Sequence, residues 1–164
     1  MSAAVTPVAR AGSTERAMLA PGTEFRTPPR PMTRERMRWY VDIQDTVQAD
    51  TGRIVTQPPT IHDDDAYAKK NGLPGIIADG MISTNWILGL LVDVFGPEAI
   101  GRGRLRTKYI APVYEDQVIT AIARVRSAVR GADGRTAYEL DVWCEDPTGL
   151  KVTVGDALVR SSTR

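Results

Sequence analysis

His62 is the only histidine in the chain, and a side chain that titrates near neutrality is the usual carrier of protons in general acid/base catalysis. Asp63, Asp64 and Asp65 follow it directly, and Asp79-Gly80 stands at the entrance to a long apolar stretch. A carboxylate can orient a histidine or share a proton with it, and an amide at a helix start can meet a developing oxyanion. Each residue also has an ordinary structural use, since a lone histidine often only packs and an aspartate ahead of a helix often only caps it. The three consecutive aspartates invite a hard cation. Consecutive residues at a helix start diverge about its axis, however, and the other ligands of a calcium loop are missing, so the reading is no metal. Cys144, the only cysteine, sits in the strand-like run Asp141-Val142-Trp143-Cys144 and reads as a packed apolar group, not a nucleophile.

The text around His62 carries more than any one residue. Ile61-His62-Asp63-Asp64-Asp65-Ala66-Tyr67-Ala68, followed by Gly72-Leu73-Pro74-Gly75-Ile76-Ile77-Ala78-Asp79-Gly80-Met81, resembles the active-site segment of the MaoC-like (R)-specific enoyl-thioester hydratases. Tyr109-Ile110-Ala111-Pro112-Val113 stands where that family has a strand-ending Pro-Val turn. The resemblance implies a hotdog fold acting on an enoyl or 3-hydroxyacyl thioester, carried by coenzyme A or a carrier protein. It implies an Asp/His pair for moving water across the double bond, the Gly80 N–H as donor to the enolate oxygen, and no cofactor. It also implies a homodimer or higher oligomer with pockets at the interface. Met81, Ile61, Tyr67, Trp86 and Tyr109 are the candidates for holding the substrate, with Arg104 for its phosphates. Arg102, Arg104 and Arg106 equally fit a solvated stripe, because alternate residues of a strand share one face.

Two positions depart from the pattern. Five residues before His62, where the family has its aspartate, this chain has Gln57, which can orient a water but cannot take a proton. Asp79 replaces the family's histidine beside Gly80. Three readings stay open: a carboxylate from Asp45 or Asp50 folds back to His62, Asp79 supplies it, or the pocket serves another purpose. In the last case the protein is a repurposed isomerase, cyclase or lyase, or a non-catalytic subunit that needs a partner chain.

These residues need elements to position them. Pro28-Pro29-Arg30-Pro31 is extended, and Thr33 then caps an amphipathic helix over 34–45. Residues 46–60 read as a long loop, 64–70 as a short helix, and Met81 to Phe95 as a helix apolar on most faces, hence central. The period then changes to strands at 105–110, 117–129, 136–145 and 150–160, joined by hairpins. Strands around one apolar helix give an α+β fold, a single hotdog domain whose curled antiparallel sheet wraps a buried helix. The domain spans 22–164 behind a flexible leader, 1–21.

Composition narrows the rest. A length of 164 residues suits one domain, and 42% hydrophobic with 25% charged residues is an ordinary globular balance. A net charge of +1, with the signs interspersed, offers no field for nucleic acid or an acidic membrane surface. No run approaches the roughly 20 apolar residues of a membrane span. A single cysteine excludes an intrachain disulfide and fits a reducing cytoplasm.

Overall fold

The structure, a computed structural model, describes residues 18–49 and 58–162. Most of the expected leader, together with Asp50 and Gln57, lies outside the described residues, as does the side chain of Asp45. Leu19, inside the expected leader, packs on the core, and the Gly22 N–H bonds the Val125 carbonyl at 2.8 Å.

The elements are β1 (Glu24–Arg26), β2 (Arg30–Pro31), α1 (Arg34–Ala49), α2 (Asp65–Lys70), α3 (Gly80–Phe95), α4 (Glu98–Gly101), β3 (Arg104–Tyr109), β4 (Val118–Arg130), β5 (Arg135–Glu145) and β6 (Lys151–Ser162). The strands form one antiparallel sheet in the order β1-β4-β5-β6-β3, with β2 also on β4. Alternation explains why these segments are strands. Val125, Leu140 and Ala157 are buried on the inner face, while Arg124, Arg126, Glu139 and Asp141 stand outside.

The helix at the centre is α3. Ile82, Ser83, Trp86, Ile87, Leu90, Leu91 and Phe95 are buried, and together with the inner faces of β4, β5 and β6 they make the core. A stripe through Met81, Asn85, Gly89 and Asp93 stays exposed. The helix is therefore less enclosed within this chain than its uniformly apolar sequence predicts.

Hairpins join β4 to β5 and β5 to β6 as expected, but β3 pairs with β6 at the far end of the sheet from β4. The crossing segment explains why no hairpin forms there. Its backbone pairs with the entrance to α3, through the Ala78 N–H to the Val113 carbonyl at 2.8 Å and a bridge between Ile77 and Tyr114. The helix expected to end at residue 45 runs on to Ala49 and takes up part of the expected loop. Among the described residues no helix is long and apolar enough to cross a membrane.

Candidate active site

Three elements meet at the N-terminal end of α3: the turn carrying His62, the first residues of α3, and the end of β3 with the crossing segment. They enclose a cleft of about 620 Å³. Its polar lining includes His62, Asp79, Ser83, Tyr109 and Thr153, and its walls include Leu73, Ile77, Ile110 and Val113. An apolar cavity with a few converging polar groups is the usual form of a small-molecule site.

His62 is fixed by its ring. Nδ1 lies 2.9 Å from the Ile77 carbonyl, and a carbonyl only accepts, so Nδ1 carries the proton and donates. Nε2 is then the unprotonated nitrogen of the neutral ring, and it lies 4.0 Å from Asp79 Oδ2. The side chains of His62 and Asp79 are both about one quarter exposed, at 26% and 24%. Water therefore has access to both.

Asp79 divides its oxygens between two tasks. Oδ1 accepts from the Met81 N–H at 2.8 Å and caps α3, while Oδ2 faces His62. The cap thus leaves the second oxygen of the same carboxylate facing His62. The Ile82 N–H is taken by the Asp79 carbonyl at 3.1 Å. The Gly80 N–H has no hydrogen-bond acceptor among the described residues, which leaves it at the positive end of the helix beside the cleft.

Glycine is required at position 80 by a close approach. A Cβ there would lie 2.6 Å from three ring carbons of Tyr109. Tyr109 is held by its hydroxyl, which lies 2.9 Å from Thr84 Oγ1 and donates to Met81 Sδ at 3.2 Å. Thr84 in turn reaches Thr107 Oγ1 at 2.8 Å. This hydroxyl ladder fixes β3 against α3 and lays the Tyr109 ring over Gly80.

Other predicted residues lie elsewhere. Trp86 is buried under the guanidinium groups of Arg30 and Arg36, 5.6 and 5.4 Å from its ring centre, and does not line the cleft. Arg104 is on the outer face of β3, away from α3, in keeping with alternation along a strand. Tyr67 is exposed on α2 and outside the cleft. Ile61 contributes its carbonyl to the Ile77 N–H, behind the site. Met81 is half-exposed and outside the cleft lining, where its sulfur accepts from the Tyr109 hydroxyl.

Sequence reasoning missed Ser83 and Thr153, both buried and both lining the cleft. Ser83 lies one turn into the apolar helix, and Thr153 faces inward in a strand opposite Tyr109. A polar residue at an inward-facing position of an apolar element is the signal that could have found them.

The three aspartates after His62 turn to three different partners. Asp63 accepts from Thr60, Asp64 caps α2 through the Tyr67 N–H, and Asp65 pairs with Arg34. Burial pushes the Cys144 thiol up to about 12, and its Sγ donates weakly to the Ser83 carbonyl at 3.7 Å, so it is a packed thiol.

The fold has many relatives among solved structures. The R-hydratase PhaJ1 from Pseudomonas aeruginosa superposes with a TM-score of 0.67 at 17% identity, covering 89% of this chain and 84% of that one. A MaoC-like dehydratase from Rhodospirillum rubrum gives 0.67 at 19%, covering 89% and 94%. The HadBC (3R-hydroxyacyl-ACP dehydratase) complex from Mycobacterium tuberculosis gives 0.62 at 15%, covering 86% and 96%. No curated protein sequence matches the chain. The sequence model of the MaoC like domain matches residues 16–143, most of the chain, and the fold around the cleft is the hotdog arrangement of its structural neighbours. The protein belongs to the MaoC-like domain family.

Proposed function

We propose that the protein adds water to a trans-2-enoyl thioester, or eliminates it from the corresponding 3-hydroxyacyl thioester, with His62, Asp79 and Gly80 as the working groups. The observation that carries this reading is the position of His62 Nε2, 4.0 Å from Asp79 Oδ2 while Nδ1 meets the Ile77 carbonyl, beside a Gly80 N–H that has no acceptor among the described residues. That separation is too long for a direct hydrogen bond, but one water at about 2.8 Å from each atom can bridge it.

In hydration, Nε2 takes a proton from this water as its oxygen bonds to C3 of the enoyl group. The double-bond electrons move onto the thioester oxygen, where the Gly80 N–H and the α3 dipole meet the negative charge. The Asp79 carboxylate holds the water and offsets the imidazolium charge. His62 then returns the proton to C2, which completes the addition without a cofactor. Dehydration runs the same steps backwards. Tyr109, Ile110 and Val113 supply apolar contact for the acyl chain near the reacting carbons.

A second reading makes the chain a subunit that works with a partner. It is favoured by the two-component assembly named for its neighbour HadBC, and opposed by the presence of His62 and Asp79 in one chain. A buried, free Cys144 suits the reducing cytoplasm in which we expect the protein to act.

The test follows the enoyl absorbance of a short trans-2-enoyl-CoA with the protein alone and with His62→Ala. Turnover by the wild type and loss of about 10²-fold or more in the variant are expected, the usual size of a general acid/base contribution. Full activity in the variant overturns the role of His62. No turnover at any chain length overturns the hydratase reading for the lone chain.

A further inference from the structure

The cleft depends on where one carbonyl sits. Ile77 accepts the proton-bearing nitrogen of His62, and so decides which of the two ring nitrogens is free to act. Ile77 is held on three sides. Its own N–H bonds the Ile61 carbonyl at 3.0 Å, next to His62. The preceding Ile76 N–H bonds Asp65 Oδ1 at 3.2 Å. Its backbone also bridges Tyr114, the residue before Glu115.

Asp65 and Glu115, the two carboxylates that flank this segment, share a single guanidinium. Arg34, at the first turn of α1, donates from Nη1 to Asp65 Oδ2 at 2.9 Å, and from Nε and Nη2 to Glu115 at 2.9 and 2.6 Å. We propose that Arg34 is a positioning residue for the reaction. By joining Asp65 to Glu115 it fixes the 76–77 segment, and that segment holds His62 in the tautomer with Nε2 unprotonated toward Asp79. This inference rests on the hydratase reading only for its catalytic consequence. The tautomer itself is a property of the free protein.

Two features support a positioning role beside any stability that the ion pairs contribute. The arrangement needs a planar fork with several donors at fixed angles, which lysine does not provide. Finally, the carboxylates bridged are those whose neighbours bracket Ile77, although they come from α2 and from the crossing segment.

The single histidine makes the test direct, because a nitrogen–proton spectrum of ¹⁵N-labelled protein has one imidazole to report. In the wild type with a neutral ring, Nδ1 is expected to be the protonated nitrogen and Nε2 the bare one. In Arg34→Gln the two nitrogens are expected to move toward the averaged shifts of mixed tautomers, with Arg34→Lys restoring the wild-type pattern only in part. A wild-type pattern in folded Arg34→Gln overturns the proposal, as does a wild type that is protonated at Nε2.

Should Arg34→Gln fail to fold, Asp65→Asn keeps an oxygen for the Ile76 N–H but removes the charge that engages Arg34. It is expected to shift the tautomer in the same direction, and an unchanged spectrum overturns the proposal. Where enoyl-CoA is turned over, kcat in Arg34→Gln should fall on the order of tenfold with KM little changed, since only the fraction of correctly protonated His62 alters. A tautomer shift in a protein that hydrates nothing leaves the positioning role standing and removes the hydratase reading. Turnover with an unmoved tautomer does the reverse.

Discussion

At the scale of single residues the sharpest question is whether Asp79 is only a cap. Asparagine caps helices about as well as aspartate, so Asp79→Asn keeps an acceptor for the Met81 N–H and removes only the charge facing His62. Its melting temperature should stay close to wild type while hydration falls at least tenfold. Asp79→Ala loses the cap as well and should cost about 1 kcal/mol of stability. Thermal melts beside enoyl-CoA rates separate the two, and full activity in Asp79→Asn would reduce the residue to a cap. Gly80→Ala brings a Cβ against the Tyr109 ring. The ring must then leave Thr84 and Met81, and activity should drop. In a double-mutant cycle with Tyr109→Ala the two losses should not add, because removing the ring removes the clash; simple additivity would show that Gly80 matters for another reason.

At the scale of elements, the junction of α1, α2 and the crossing segment has its own pH signature. The Arg34 guanidinium, helped by the Ile76 N–H, holds the Asp65 carboxyl below its ordinary value of 3.8. A group whose folded pKa is depressed stabilises the fold above its unfolded pKa, and that contribution is lost as pH falls through the folded value. Acid titration below about pH 4 should therefore lower the melting temperature of wild type more steeply than that of Asp65→Asn. Parallel curves would mean that Asp65 is equally well solvated in both states.

What the sequence made legible also divides at this scale. The long strands β4, β5 and β6 carry an alternation that persists over many residues and α3 a long apolar run, so all four could be read directly, as could the place of Asp79-Gly80 at the start of α3. The strands β1 and β2, of 3 and 2 residues, and the single turn of α4 are too short to show a period. The partnership of β3 with β6 was hidden, because adjacency in sequence favours a hairpin and only the docking of residues 113 and 114 on the α3 entrance prevents one. Arg34 was invisible for a similar reason. Nothing in the spacing of residues 34, 65 and 115 shows that they meet.

At the scale of the whole molecule, one end of the sheet is incomplete. β3 ends the strand order, with β6 on one side and no strand on the other among the described residues. An exposed strand edge invites pairing with another chain. The side chains of Tyr109 and Ile110, 46% and 49% exposed, stand in the cleft lining beside this edge, and the exposed Met81 touches Tyr109 through its sulfur. A second copy packed along β3 would cover both the edge and this exposed rim of side chains, and would close the cleft with residues from the partner. Light scattering should then report twice the 17.9 kDa of the chain at micromolar concentration. Ile110→Glu, which puts a charge on that rim, should shift the protein toward monomer. If the partner completes the cleft, enoyl-CoA turnover per chain should fall in parallel with the loss of dimer on dilution, while the His62 tautomer, set by contacts within one chain, should not change. A fully active monomer would show that the cleft in this chain is already complete, and that the exposed rim faces only substrate and solvent.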